Sequence, residues 1–343
     1  MNGTLFFIAN DGVHGGELWK SDGSTVGTVM VKDIRPGLES STPYYFTVYK
    51  GNLYFVVYTA GAGYELWKSD GTEAGTVIVK DIYPGSLSSS PAYLTEMNGT
   101  LYFSADDGIY GQELWKTDGT AAGTILVKDI GSGRVTGSFP ENLTHVNGTL
   151  YFFANNGTNG KELWKSDGTP AGTMFVKDVS PGSDIWGEPY STRASYLTGM
   201  RGKLYFSAEV GVIGSSNGSG YGFWESDGTS AGTVLVRDKF FPTSDYRTSH
   251  YLNVNDSLFF LEFDSTYGTE LWKSDGTSAG TLLVMDINQG SNGSSIDYLT
   301  SNGNCALFFS ADDGYHGQEL WALDLSPCVK TRTGTVWLPL LRK

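Results

Sequence analysis

Four histidines and 37 acidic residues are the groups here with the chemistry for proton transfer or metal binding. His14, His145, His250 and His316 form no zinc or catalytic signature by spacing, and no P-loop or dinucleotide fingerprint is legible. Carboxylate pairs occur throughout so acidic a chain, so a pair alone singles out no acid–base site. Two loops, Ala105-Asp106-Asp107-Gly108 and Ala311-Asp312-Asp313-Gly314, offer hard oxygen ligands that suit calcium. Asp106, Asp107, Asp312 and Asp313 are therefore the candidate metal ligands. The same loop elsewhere reads Asn155-Asn156-Gly157 or Thr59-Ala60-Gly61, and none has the full Asp-x-Asp-x-Asp-Gly spacing. Aromatic side chains on loops can stack on sugars or peptide surfaces. Trp186, Tyr190 and Tyr221 are the candidates for that role.

The frame that must position these groups is a repeat. Glu113-Leu114-Trp115-Lys116-Thr117-Asp118-Gly119-Thr120, followed by Gly123-Thr124 and Ile125 to Ile130, recurs along the chain. The phrase centres on Trp19, Trp67, Trp115, Trp164, Trp224, Trp272 and, shortened, Trp321, separated by 48, 48, 49, 60, 48 and 49 residues. The long interval comes from two insertions, one bearing Trp186 and Tyr190, the other running from Gly211 to Tyr221. Loops on a rigid frame often carry binding function, although a tolerated surface insertion is the commoner fate of Ser/Gly-rich segments.

Each repeat reads as four short strands. Leu101 to Ala105 alternates apolar and polar residues with the period of two of a strand. It follows Asn98-Gly99, a pair suited to a type I′ turn. The second strand carries Glu-Leu-Trp, the third spans Thr124 to Ile130, and the fourth resembles Pro91 to Thr95. No helical apolar stripe interrupts them. Four strands in about 48 residues match a blade of a β-propeller. A sheet of that size leaves an apolar face uncovered, so neighbours must stack, with one tryptophan per blade as the wedge. The fold class is all-β, a propeller of four-stranded antiparallel blades over residues 1–325 with a tail at 326–343. Seven blades with an imperfect last one is the favoured count, and six plus an extra hairpin the alternative.

A residue present in every blade is most simply structural, whereas a single site should show as a break in the pattern. Asp118 is expected to bond its own turn, and Lys128 and Asp129 to mark a strand end facing water. Repeat five departs most. Gly222-Phe223-Trp224-Glu225 stands where Glu-Leu-Trp-Lys is expected, and Arg237 replaces the usual lysine.

The repeat phrase resembles the bacterial family named for Glu-Leu-Trp-x-x-Asp-Gly-Thr, and the resemblance covers about residues 1–325. It implies a propeller within a large secreted or surface-attached bacterial protein, with no catalytic residues to carry over. The apolar tail Val336 to Leu340 is similar to endings of some secreted bacterial proteins.

Composition agrees with this frame. Glycine contributes 46 of 343 residues and aromatics 14%. The net charge of −14 argues against nucleic acid and anionic membranes as partners. No apolar run is long enough to span a bilayer, so no membrane insertion is expected. Met1 leads directly into a repeat with no signal peptide, which suggests a fragment. Cys305 and Cys328 form either one bridge or two buried thiols, and most Asn-x-Ser/Thr sequons are hairpin turns first. The function expected is a non-catalytic extracellular or cell-surface module for binding, adhesion or scaffolding. Its expected partners are a polysaccharide or a protein surface. The alternative is a propeller enzyme, a polysaccharide hydrolase or lyase with an axial active site.

Overall fold

A computed structural model describes residues 1, 3–131, 137–210, 220–239, 251–303 and 306–325. Cys305, Cys328, His250, the 326–343 tail and most of the Gly211 insertion lie outside the described residues. Every regular element among the described residues is a strand, and they form seven antiparallel sheets. Five sheets have four strands; the first and last have three. This is an all-β arrangement consistent with a propeller-like fold. No helix is long and apolar enough to cross a membrane. The chain divides into two compact units, Met1–Thr192 with four sheets and Arg193–Lys343 with three.

The sheets do not coincide with the sequence repeats. In the third sheet Ala92–Met97 pairs with Thr100–Asp106, which pairs with Gln112–Thr117 and then Ile125–Lys128. The fourth strand of one repeat thus opens the next sheet. The cause is the hairpin at Asn98-Gly99, whose φ values of 51° and 75° give the left-handed pair that a type I′ turn needs. Lys50-Gly51, Asn147-Gly148 and Arg201-Gly202 make the same turn.

Each four-stranded sheet of the first unit begins with a bulged strand. The register slips between Ala92 and Thr95, and Tyr93 between them has φ 58°. Tyr45, Asn142, Tyr196 and Tyr298 occupy the same left-handed bulge, a conformation disfavoured for a bulky side chain.

The core lies between sheets. Trp115 packs in a cluster with Tyr49, Tyr54, Leu66, Val79 and Ile82 of the second sheet and Leu101, Phe103 and Ala105 of the third. Trp164 occupies the equivalent seam one sheet on. Trp115, Trp164, Trp224 and Trp272 are buried, and Trp19, Trp67 and Trp321 half-buried.

The glutamate of Glu-Leu-Trp is a clasp inside five of the seven sheets. Glu113 is fully buried, and its carboxylate accepts the Ile130, Gly131 and Ser138 amides at 2.8–3.0 Å and the Ser138 hydroxyl at 2.5 Å. Glu17, Glu65, Glu162 and Glu270 are buried in the same way. Burial pushes their carboxyls upward against these hydrogen bonds, for Glu65 and Glu162 to about 7.

The expectation for Lys128 needs correction. Its ammonium does not face water; it donates to the Thr173 carbonyl of the next sheet at 2.6 Å. Lys32 and Lys80 do likewise to Thr76 and Thr124, each over the face of that next sheet's tryptophan. The carbonyl is a better partner than water in a half-buried seam, because the lysine stem already lies along apolar surface. Asp118 does hold its own turn, accepting the Thr120 amide and hydroxyl at 2.8 and 2.7 Å.

Candidate functional site

The break in repeat five lies beside a cleft of about 450 Å³ within the second unit. Its first wall starts at the Arg201-Gly202 turn, which leads into the strand where Tyr205 stands opposite Glu225 of the next strand. In the four-stranded sheets of the first unit a lysine occupies the place that Glu225 takes here, as in Tyr54 opposite Lys68 and Tyr102 opposite Lys116. Here Glu225 turns back along its own sheet. Its carboxylate takes the Lys203 ammonium at 2.9 Å and accepts the Tyr205 hydroxyl at 3.2 Å.

The second wall is the Asp275-Gly276-Thr277 turn of the sixth sheet. Asp275 accepts the Thr277 amide at 2.9 Å and its hydroxyl at 2.7 Å, which holds its carboxyl below the usual range. Arg201 reaches across, donating to the Asp275 carbonyl at 3.2 Å, with Asp256 3.8 Å from its other side. Val234 and Val236 complete the lining. Burial, and then the Glu225 charge, raise the Tyr205 phenol to about 12, so it stays protonated and donates. The cleft therefore offers donors, an ion pair and an apolar floor, the means to hold a polar ligand.

Other sequence candidates lie elsewhere. Trp186 is 81% exposed at the tip of a short loop in the first unit, where Ser183 bridges Pro189 and Asp184 accepts the Trp186 and Glu188 amides. Tyr190 is half-buried on the same loop, with its ring over Gly182. Tyr221 is half-buried in a strand of the second unit, opposite Glu209. The structure brings Trp186 and Tyr190 onto one loop and leaves Tyr221 in the other unit.

The acidic loops hold themselves together. Asp106 accepts the Gly108 amide, and Asp107 accepts those of Ile109 and Tyr110. Asp312 and Asp313 repeat the pattern, with His316 on the second oxygen of Asp313. Among the described residues no group of three or more metal-ligating side chains comes together. Sequence reasoning flagged Glu225 as a departure and missed its partners Lys203 and Tyr205. It also missed Glu262, which is buried opposite Glu270 where other repeats carry Ala or Val. The signal in both cases was an acidic residue at a position where no other repeat carries one.

No family model matches the chain, and no curated protein matches it. Solved structures do. A prolyl endopeptidase, from a study of inter-domain dynamics in catalysis and specificity, matches with a TM-score of 0.51 at 12% identity, over 94% of this chain and 48% of that one. Prolyl oligopeptidase B from Galerina marginata matches with a TM-score of 0.49 at 10% identity, over 95% of this chain and 47% of that one. A puromycin-hydrolyzing peptidase of Mycobacterium tuberculosis matches at 0.48 and 10%, over 90% and 48%. The chain spans about half the length of these proteins. At such identity the likeness shows the fold alone. The expectation of a non-catalytic adhesion or scaffold module is corrected to this extent: the prolyl endopeptidase that shares this arrangement is an enzyme.

Proposed function

We propose that the chain is the propeller-fold part of an enzyme that cleaves peptides. The observation that carries this reading is the likeness to a prolyl endopeptidase over 94% of this chain and 48% of the longer one. The polysaccharide substrate of the sequence-based alternative has no comparable support. In this reading the cleft at Arg201, Lys203, Tyr205 and Glu225 holds part of the substrate, since it lies where an otherwise regular repeat is broken. The seven sheets would close into one seven-bladed ring, and the chain would belong to the Glu-Leu-Trp-x-x-Asp-Gly-Thr repeat family. The test is to incubate the protein at its natural length with a pool of several hundred peptides, proline-containing ones included, and follow them by mass spectrometry. New fragments support the reading. A folded protein that leaves the pool intact overturns it.

A further inference from the structure

We infer that the cleft beside Glu225 takes a primary ammonium group, as carried by a lysine side chain of a peptide. This rests on the reading above for the peptide; the ammonium is argued from the chain's own repetition. In the first unit, three seams between neighbouring sheets are bridged alike. Lys20 donates to the Gly71 carbonyl at 2.7 Å, Lys68 to Gly119 at 2.8 Å, and Lys116 to Gly168 at 2.8 Å. Each lysine follows the repeat tryptophan, and each acceptor is the glycine of the next Asp-Gly-Thr turn.

The seam between the fifth and sixth sheets keeps every part of this arrangement except the donor. Gly276 has φ +95°, against +90°, +98° and +89° at Gly71, Gly119 and Gly168. A Cβ on Gly276 would lie 2.3 Å from the Tyr205 hydroxyl, as one on Gly119 would from Tyr54. The second repeated bridge is also present, with Arg237 donating to the Thr281 carbonyl at 3.2 Å as Lys80 does to Thr124. Position 225, however, is a glutamate and has no ammonium to offer. The space into which a lysine projects elsewhere is open here, at about 450 Å³.

Charge favours the same occupant. Glu225 and Asp275 balance Arg201 and Lys203 in the lining, Asp256 stands beside Arg201, and the whole chain carries −14, so the surrounding field favours a cation over an anion. An entering ammonium would meet the Gly276 carbonyl and the Glu225 carboxylate, with its methylene stem against Val234 and Val236. A charge-assisted hydrogen bond in this half-enclosed seam distinguishes it from an apolar isostere.

The probe is Nα-acetyl-lysine amide, titrated calorimetrically beside its neutral analogue Nα-acetyl-norleucine amide and the anionic Nα-acetyl-glutamate amide. The lysine derivative should bind roughly tenfold tighter than either of the others. Glu225→Lys restores the lysine of the other repeats, so it should fill the seam, keep the melting temperature at or above the wild-type value, and weaken binding at least roughly tenfold. Glu225→Gln, which keeps the shape of the side chain, should weaken binding several-fold. Equal binding of the three probes, preference for the acid, or affinity unchanged in both variants overturns the inference. Lysine binding without any peptide cleavage would defeat only the functional reading, and cleavage blind to lysine only this one.

Discussion

Glu65→Gln is the sharpest probe of how the sheets are held. Glu65 is fully buried. One carboxylate oxygen accepts the Ser89 amide at 3.0 Å; the other accepts the Ile82 amide at 3.1 Å and the Ser89 hydroxyl at 2.5 Å. Glutamine is isosteric but presents an NH₂ to one of those N–H donors, leaving it unpaired in the core, which destabilises by about 1–3 kcal/mol. Against this, the wild-type carboxyl rises from 4.5 to about 7 on folding. Ionising it in the folded protein therefore costs roughly 3 kcal/mol. A raised folded pKa means that the folded state holds the proton more tightly. The stabilising share is complete below about pH 4.5 and is lost as pH rises through 7. Glutamine has no such loss. Urea denaturation followed by circular dichroism at pH 5 and pH 8.5 should then give a penalty of about 2 kcal/mol at pH 5, shrinking to near zero or reversing at pH 8.5. Comparison at equal pH cancels the other titrations. A penalty that is equal at both pH values, or larger at pH 8.5, refutes the reasoning.

Other outcomes follow from the same contacts. Trp115→Ala should lose about 3–5 kcal/mol, because the ring fills the seam between two sheets; a wild-type denaturation midpoint would remove its wedge role. Lys116→Met should lose about 1–2 kcal/mol with the bridge to Gly168, read from the same denaturation curves. Gly119→Ala and Gly85→Ala both force a left-handed alanine, but only the first drives a Cβ to 2.3 Å from the Tyr54 hydroxyl. Gly119→Ala should therefore be the worse by more than about 1 kcal/mol.

Much of the fold was legible in the sequence because strands and hairpins are local. The alternation in Leu101 to Ala105 and the Asn98-Gly99 turn act over a few residues. What could not be read were partnerships across tens of positions. Glu113 looks like a surface charge until Ile130 and Ser138, 17 and 25 residues on, are folded around it. Lys128 looks solvated until the next sheet supplies Thr173. The left-handed Tyr93 follows from a bulge whose partner strand sets the register, and nothing in Ala-Tyr-Leu announces it. Glu225 was visible as a departure from the repeat. Its meaning depended on what the lysines in equivalent places do, namely bridge to a glycine about fifty residues away.

The central claim is that the break in the repeat is where the protein meets its substrate. It is tested most directly by mass spectrometry of one defined pool of lysine-containing and lysine-free peptides, exposed in parallel to the wild-type protein and to Glu225→Lys. The account predicts fragments from the wild type, lysine-containing peptides consumed first, and that preference lost in the variant. An intact pool, or identical consumption by the two proteins, would contradict it.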